Sequence, residues 1–94
     1  MNSVGNRLTA RITGVVQGVG FRYWTARKVD ELGLAGTVRN RHDGSVELVV
    51  EGSAADIDSI VAWLRSTNAP GRVENVDVEV SEATGDFDGF RIVG

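Results

Sequence analysis

The chain has 94 residues, no cysteine and a formal net charge of −3 at neutral pH. This length is typical of one domain, and the absence of thiols excludes a disulfide framework, a thiolate zinc site and a cysteine nucleophile. The acidic balance argues against a broad nucleic-acid-binding face, although a local cluster of donors can still bind a small anion. Neither a membrane-spanning segment nor a signal peptide is visible. We therefore expect a single cytoplasmic domain over residues 7–94, preceded by a flexible tail over residues 1–6.

The first half of the chain shows a strand, a helix and a second strand. Apolar residues alternate from Leu8 to about residue 17, which predicts a half-buried strand. A helical pattern follows over residues 21–32, and Gly33 is the expected left-handed terminator. A second strand over about residues 36–41 leads into HDGS, residues 42–45, whose Asp-Gly pair is typical of a hairpin turn.

The second half repeats this order and completes the fold. The third strand should place Val46, Leu48 and Val50 inward, and Glu47 and Glu51 outward. Ser53 is the predicted N-cap of a second helix, with Asp56 closing a capping box. Alternation at Val76, Val78 and Val80 predicts a fourth strand, and Phe90 and Ile92 predict a short fifth one. The order β-α-β-β-α-β plus a terminal strand is typical of an α+β, ferredoxin-like split βαβ fold, an antiparallel sheet with both helices on one face.

This topology brings two polar features together. A right-handed crossover makes the first two strands parallel, so the end of the second strand lies beside the segment that precedes the first helix. Because Val38 should point to the core, Asn40 should point to the same, helix-covered side. Arg39 and Arg41 should then face the opposite side. We therefore predict that Asn40 lies next to VQGVGFR, residues 16–22.

The segment VQGVGFR is suited to binding an anion. Helix N-termini leave backbone N–H groups unpaired, and glycines let a loop curl such donors around an oxyanion. Arg22 adds a permanent charge with a planar fork of donors that matches phosphate oxygens. Taken alone, the residues are compatible with a phosphate cradle and also with a tight turn followed by an exposed arginine.

At these positions the sequence resembles the acylphosphatase family. The matching segments are GVVQGVGFR (residues 14–22), LGLAGTVRN (32–40) and DGSVE (43–47). GFRI, residues 89–92, also fits, so the resemblance extends over the domain from Leu8 onward. Thr37 stands where the family usually has an aromatic residue, and Val29 where a small residue is common. We interpret both departures as changes in packing.

The resemblance implies a hydrolase that cleaves acyl phosphates to a carboxylate and inorganic phosphate, without a metal or another cofactor. It implies that Arg22 binds the phosphate and that Asn40 positions the attacking water. The backbone N–H groups that complete the phosphate site belong to Gln17, Gly18, Val19, Gly20, Phe21 and Arg22. Glycolytic, carbamoyl and aspartyl-type acyl phosphates are the candidate substrates. Inorganic phosphate or sulfate should compete with them, and we expect a monomer with neither nucleic acid nor membrane as a partner.

The alternative is a non-catalytic phosphate or acyl-phosphate binding module on the same fold. Such a module would keep Arg22 and the loop but would have no use for Asn40. An RNA-binding sheet is disfavoured, because the outward positions of the first and third strands carry threonine, arginine and glutamate instead of aromatic residues. Several other side chains are interpreted as solvated or packing groups without a catalytic role: His42, Arg39, Arg41, Tyr23, Trp24 and Trp63.

Overall fold

The computed structural model describes residues 5–18 and 20–94. Its elements, in chain order, are β1 (Asn6–Val15), α1 (Phe21–Leu32), β2 (Ala35–Asn40), β3 (Val46–Gly52), α2 (Ala54–Leu64), β4 (Arg72–Glu82) and β5 (Phe90–Val93). The predicted α+β fold is therefore confirmed. Residues 1–4 of the predicted tail and Val19 lie outside the described residues, and β1 already begins at Asn6.

The sheet has five strands in the order β4-β1-β3-β2-β5. β3 lies antiparallel between β1 and β2, while β4 is antiparallel to β1 and β5 is parallel to β2. β1 and β2 therefore run in the same direction on either side of β3. As a consequence, the C-terminal ends of β1 and β2 lie at one end of the sheet, where the loop before α1 also begins.

One face of the sheet and the inner faces of both helices form the core. Burial of one large apolar side chain, such as leucine or isoleucine, stabilises a fold by about 1.5–3 kcal/mol. Val38 of β2 is completely buried, and the next residue on the same face of the strand is Asn40. The remaining fully buried apolar side chains of the sheet and the helices include Leu8, Ala10, Ile12, Val29, Val46, Leu48, Val50, Ile60 and Leu64.

The helix ends are fixed by the residues that the sequence predicts. α1 is followed by Gly33, whose φ of 69° allows its N–H to bond to the carbonyl of Asp30. α2 is preceded by Ser53, whose Oγ accepts a hydrogen bond from the N–H of Asp56 at 3.1 Å. A capping bond of this kind contributes about 1 kcal/mol.

Two side-chain environments differ from the alternation pattern. Glu51 is on the outward face, as predicted, but only 9% of it is exposed, because the segment after β4 covers it. Val78 and Val80 of β4 are 39% and 54% exposed, whereas Val76 is buried. β4 is an edge strand, and α2 packs on β1 and β3 instead. The alternation of apolar residues predicts neither the burial of Glu51 nor the exposure of Val78 and Val80.

Candidate functional site

The loop between β1 and α1 depends on two glycines. Gly18 and Gly20 have φ values of 77° and 76°, in the left-handed region that residues with a Cβ rarely adopt. Gly20 is the residue directly before α1, and its carbonyl accepts a hydrogen bond from the N–H of Trp24 at 3.0 Å. The backbone thus turns sharply from the end of the strand into the first turn of the helix.

The N-terminus of α1 offers donors and positive potential. The first N–H groups of a helix, here those of Phe21, Arg22 and Tyr23, have no partner within the helix. Among the residues that the structure describes, no side chain caps this end, and the first turn holds no acidic residue. No acidic side chain of the described first turn therefore offsets the helix dipole, which favours an anion at this position.

Arg22 is held in place by the C-terminal strand. Its Nη1 donates a hydrogen bond to the carbonyl oxygen of Val93, the last residue of β5, at 3.2 Å. The side chain is half-buried. A guanidinium group has five N–H donors, so one backbone bond leaves several for a ligand. β5 therefore restricts the side chain without consuming its capacity to bind an anion.

Asn40 lies in the same cleft as Arg22. The cleft has a volume of about 210 Å³ and is lined by Val16, Gly18, Gly20, Phe21, Arg22, Tyr23, Asn40 and Ile92. The Oδ1 of Asn40 is buried and has no hydrogen-bond partner among the described residues. Leaving a buried acceptor unpaired costs about 1–3 kcal/mol. An acceptor in this position calls for a donor from outside the chain, such as a water molecule.

The size of the cleft does not distinguish it. An open groove of about 540 Å³ lies along residues 64–76, after α2. The smaller cleft differs in its chemistry, because a helix N-terminus, an arginine and an asparagine line it together. The sequence predicts this convergence of Arg22 and Asn40 from the topology, and the two side chains do line one cleft.

The sequence pattern does not reveal the part played by the side chain of Gln17. Its Nε2 donates one hydrogen bond to the carbonyl of Arg41 and another to that of Ser45, both at 2.8 Å. Both acceptors are backbone atoms, so their residue types carry no signal of the contact. From the sequence, only the backbone N–H of Gln17 is predicted to have a role.

The hairpin between β2 and β3 is ordered by Asp43. Its Oδ1 accepts from the N–H and the Oγ of Ser45 at 2.9 and 2.6 Å, and its Oδ2 lies 2.9 Å from Nη2 of Arg11. The Arg11 guanidinium and the Ser45 donors hold the pKa of this carboxyl well below its usual range. The same contact raises the pKa of Arg11. The turn that follows Asn40 is thus fixed at its tip.

The other polar and aromatic residues near the cleft are exposed to solvent, form ion pairs or pack beside the core. Arg39 and Arg41 are exposed and lie 3.8 and 3.3 Å from the carboxylate of Glu47, on the open face of the sheet. His42 is exposed in the turn, as predicted. Tyr23 lines the cleft and is 54% exposed. The ring of Trp24 stands edge-on to the ring of Tyr23, with 5.4 Å between the ring centroids. Trp63 is partly buried against the core.

Residues 5–18 and 20–94 contain no group of three or more histidine, aspartate or glutamate side chains placed to hold a metal ion. None of their helices has both the length and the apolar character needed to cross a membrane.

The fold and the cleft place the chain among ferredoxin-like α+β domains, and comparisons with known proteins define its family. The Acylphosphatase family model matches residues 8–92. A protein of Paenarthrobacter aurescens strain TC1 named acylphosphatase is 80% identical over 93% of both chains. The acylphosphatase of Arthrobacter sp. strain FB24 is 56% identical over 93% of this chain and 80% of its own.

A solved structure agrees with these relatives. The crystal structure of acylphosphatase from Bacillus subtilis superimposes with a TM-score of 0.85 at 34% sequence identity, covering 95% of this chain and 99% of that one. The chain therefore belongs to the acylphosphatase family, as its three motifs predict.

Proposed function

We propose that the chain hydrolyses the carboxyl–phosphate bond of acyl phosphates and releases a carboxylate and inorganic phosphate, without a metal ion. The observation that carries the proposal is the cleft that Arg22 and Asn40 line together at the N-terminus of α1. The buried Oδ1 of Asn40 has no hydrogen-bond partner among the described residues, which adds support. Membership of the acylphosphatase family supports the same reaction.

The phosphate of the substrate binds at the beginning of α1. The N–H groups of residues 17–22 surround its oxygens, and Arg22 donates through the part of its guanidinium that Val93 does not occupy. Backbone donors at a helix N-terminus and an arginine fork are a recurrent combination for phosphate oxygens. Gly18 and Gly20 allow close approach, because no side chain stands between the backbone and the ligand.

Asn40 orients the water that attacks phosphorus. Its amide does not take up a proton at neutral pH, so it cannot act as a general base. Its side-chain amide can hydrogen-bond to water, and its buried Oδ1 has no partner among the described residues. When the protein holds the water in line with the bond to be broken, the entropy lost in bringing the reactants together is lost on binding. The activation free energy of the reaction itself is therefore lower.

The chemistry makes few further demands on the protein. The water oxygen bonds to phosphorus, the bond from phosphorus to the acyl oxygen breaks, and the carboxylate leaves with the electron pair. A carboxylate is a stable anion, so no general acid is needed. The proton from water passes to a phosphate oxygen of the substrate itself. Positioning and charge stabilisation then provide the catalysis, as they do in phosphoryl transfer generally.

A spectrophotometric assay with benzoyl phosphate, run with and without EDTA, tests this function. We expect hydrolysis at the same rate in both conditions. Loss of activity in EDTA that a divalent cation restores would contradict the metal-independent reaction. Phosphate binding without any hydrolysis would instead favour the non-catalytic binding module, for which the unpaired oxygen of Asn40 has no use.

A further inference from the structure

The side chain of Gln17 joins two segments that the sheet does not connect directly. β1 and β2 are separated by β3, so the ends of these strands share no ladder of hydrogen bonds. Gln17 follows β1, and its Nε2 reaches the carbonyls of Arg41 and Ser45, both at 2.8 Å. The amide therefore bridges from the glycine loop to the hairpin that follows β2.

The two acceptors are the atoms that close this hairpin. The N–H of Arg41 donates to the carbonyl of Ser45 at 2.8 Å, and the N–H of Gly44 donates to the carbonyl of Arg41 at 3.2 Å. Each carbonyl thus accepts one bond from within the hairpin and one from Gln17. Arg41 directly follows Asn40 in the chain, so the bridge ends one residue from the amide that faces the cleft.

These bonds exclude a direct contact between the Gln17 amide nitrogen and a substrate. A glutamine amide has two N–H donors, and each of them already serves a carbonyl at 2.8 Å. The side chain is half-buried, and neither bond involves an atom of the cleft. The two donors therefore act on the reaction through the relative position of the glycine loop and the hairpin, which directly follows Asn40.

We propose that Gln17 is a positioning residue, whose side chain fixes Asn40 relative to the phosphate-binding loop; this inference rests on the proposed function. Misplacement of a catalytic group by about 1 Å can cost about 100-fold in rate. Loss of the bridge should therefore lower turnover. It should affect phosphate binding much less, because Arg22 and the first turn of α1 remain in place.

The test uses Gln17→Met, which keeps the length of the side chain and removes both donors. With benzoyl phosphate we expect kcat to fall by about 10- to 100-fold. KM and the Kd of inorganic phosphate, measured by calorimetry, should stay near the wild-type values. In an Asn40→Ala background, the same substitution should lower kcat little further, because the group that it positions is missing. Equal losses in both backgrounds would overturn the proposal, and so would a selective loss of phosphate affinity.

Asp43→Ala is the control for general loosening of the hairpin. It removes the contacts of Asp43 with Ser45 and Arg11, but it keeps Gln17 and both carbonyls that Gln17 binds. Its thermal midpoint should fall while kcat stays close to wild type. A fall in kcat as large as that of Gln17→Met would show that general loosening of the hairpin explains the effect.

Two readouts keep the inference separate from folding and from the proposed function. Gln17→Glu preserves the shape of the side chain but carries no donor at neutral pH, where a glutamate is ionised. Its kcat at pH 7 should fall as that of Gln17→Met does, and a wild-type kcat would contradict the proposal. The side-chain amide signal of Asn40 in ¹⁵N spectra should shift or broaden in Gln17→Met and not in Asp43→Ala. This signal tests the positioning even if wild type hydrolyses no acyl phosphate, in which case only the proposed function fails.

Discussion

The guanidinium of Arg22 donates a hydrogen bond to the carbonyl of Val93 at 3.2 Å, so the last strand of the sheet orients the side chain predicted to bind phosphate. The donor lies on the first turn of α1 and the acceptor at the end of β5. This contact leaves other donors of the guanidinium available in the cleft that Asn40 also lines.

Replacing Arg22 by glutamine should weaken phosphate binding both in the substrate complex and in the transition state. The positive charge stabilises the phosphate both in the bound substrate and in the transition state, so KM should rise and kcat should fall. A hydrogen bond to a charged group is worth about 1.5–3 kcal/mol, which predicts a loss of phosphate affinity of about 10- to 100-fold. Isothermal titration with inorganic phosphate measures it. Arg91→Gln makes the same change of charge on an exposed residue outside the cleft and should leave the affinity unchanged. Equal effects of the two variants would indicate only long-range electrostatics.

Gly20→Val should damage phosphate binding more than it damages the fold. The φ of 76° at Gly20 is unfavourable for a β-branched residue, and we expect about 1–3 kcal/mol of strain. Gly33→Val imposes similar strain at a φ of 69°, at the other end of α1. Both variants should lose thermal stability, and only Gly20→Val should lose phosphate affinity. If the affinity of Gly20→Val matches that of Gly33→Val, Gly20 is merely a turn residue.

Glu51 should make acid stability depend on one buried carboxylate. Burial by itself raises its pKa, but hydrogen bonds from Thr84, Arg7 and Gly85 outweigh it and lower the pKa to about 2, from an ordinary value of 4.5. Since the folded pKa is depressed, the carboxylate contributes its full stability above about pH 4.5. This contribution is lost as the pH falls toward 2.

Glu51→Gln should therefore lower the free energy of unfolding at pH 7 by about 1–3 kcal/mol. The difference from wild type should shrink as the pH falls from 4.5 toward 2. Urea unfolding at pH 7 and at pH 3 measures both values. Glu79→Gln, at an exposed position on β4, should change little at either pH. A difference between Glu51→Gln and wild type that stays constant with pH would contradict the assigned ionisation.

The sequence predicts the fold and the meeting of Arg22 with Asn40 because both follow from short-range patterns and handedness. Period-two alternation assigns Asn40 to the face of Val38, and the right-handed crossover assigns the end of β2 to the end of β1. The bounds of α1 follow from the glycines on either side of it. Both predictions use only the types of the residues that face the core or end a helix.

The contacts made to backbone atoms could not be predicted in this way. Gln17 binds two carbonyls, and Arg22 binds the carbonyl of Val93, so no partner side chain signals either bond. The burial of Glu51 depends on the path of the segment after β4, which carries no periodic pattern. The exposure of Val80 depends on where α2 crosses the sheet.

The most direct test of the proposed mechanism is the Asn40→Ala variant, assayed for turnover and for phosphate binding in the same preparation. Loss of the water-orienting amide should lower kcat by about two or more orders of magnitude, while inorganic phosphate binds as it does to wild type. The variant should be at least as stable as wild type, because it removes a buried oxygen that has no partner among the described residues. Asn75→Ala, on exposed β4, is the control and should keep full activity. A folded Asn40→Ala protein that hydrolyses benzoyl phosphate at nearly the wild-type rate would contradict the role assigned to Asn40.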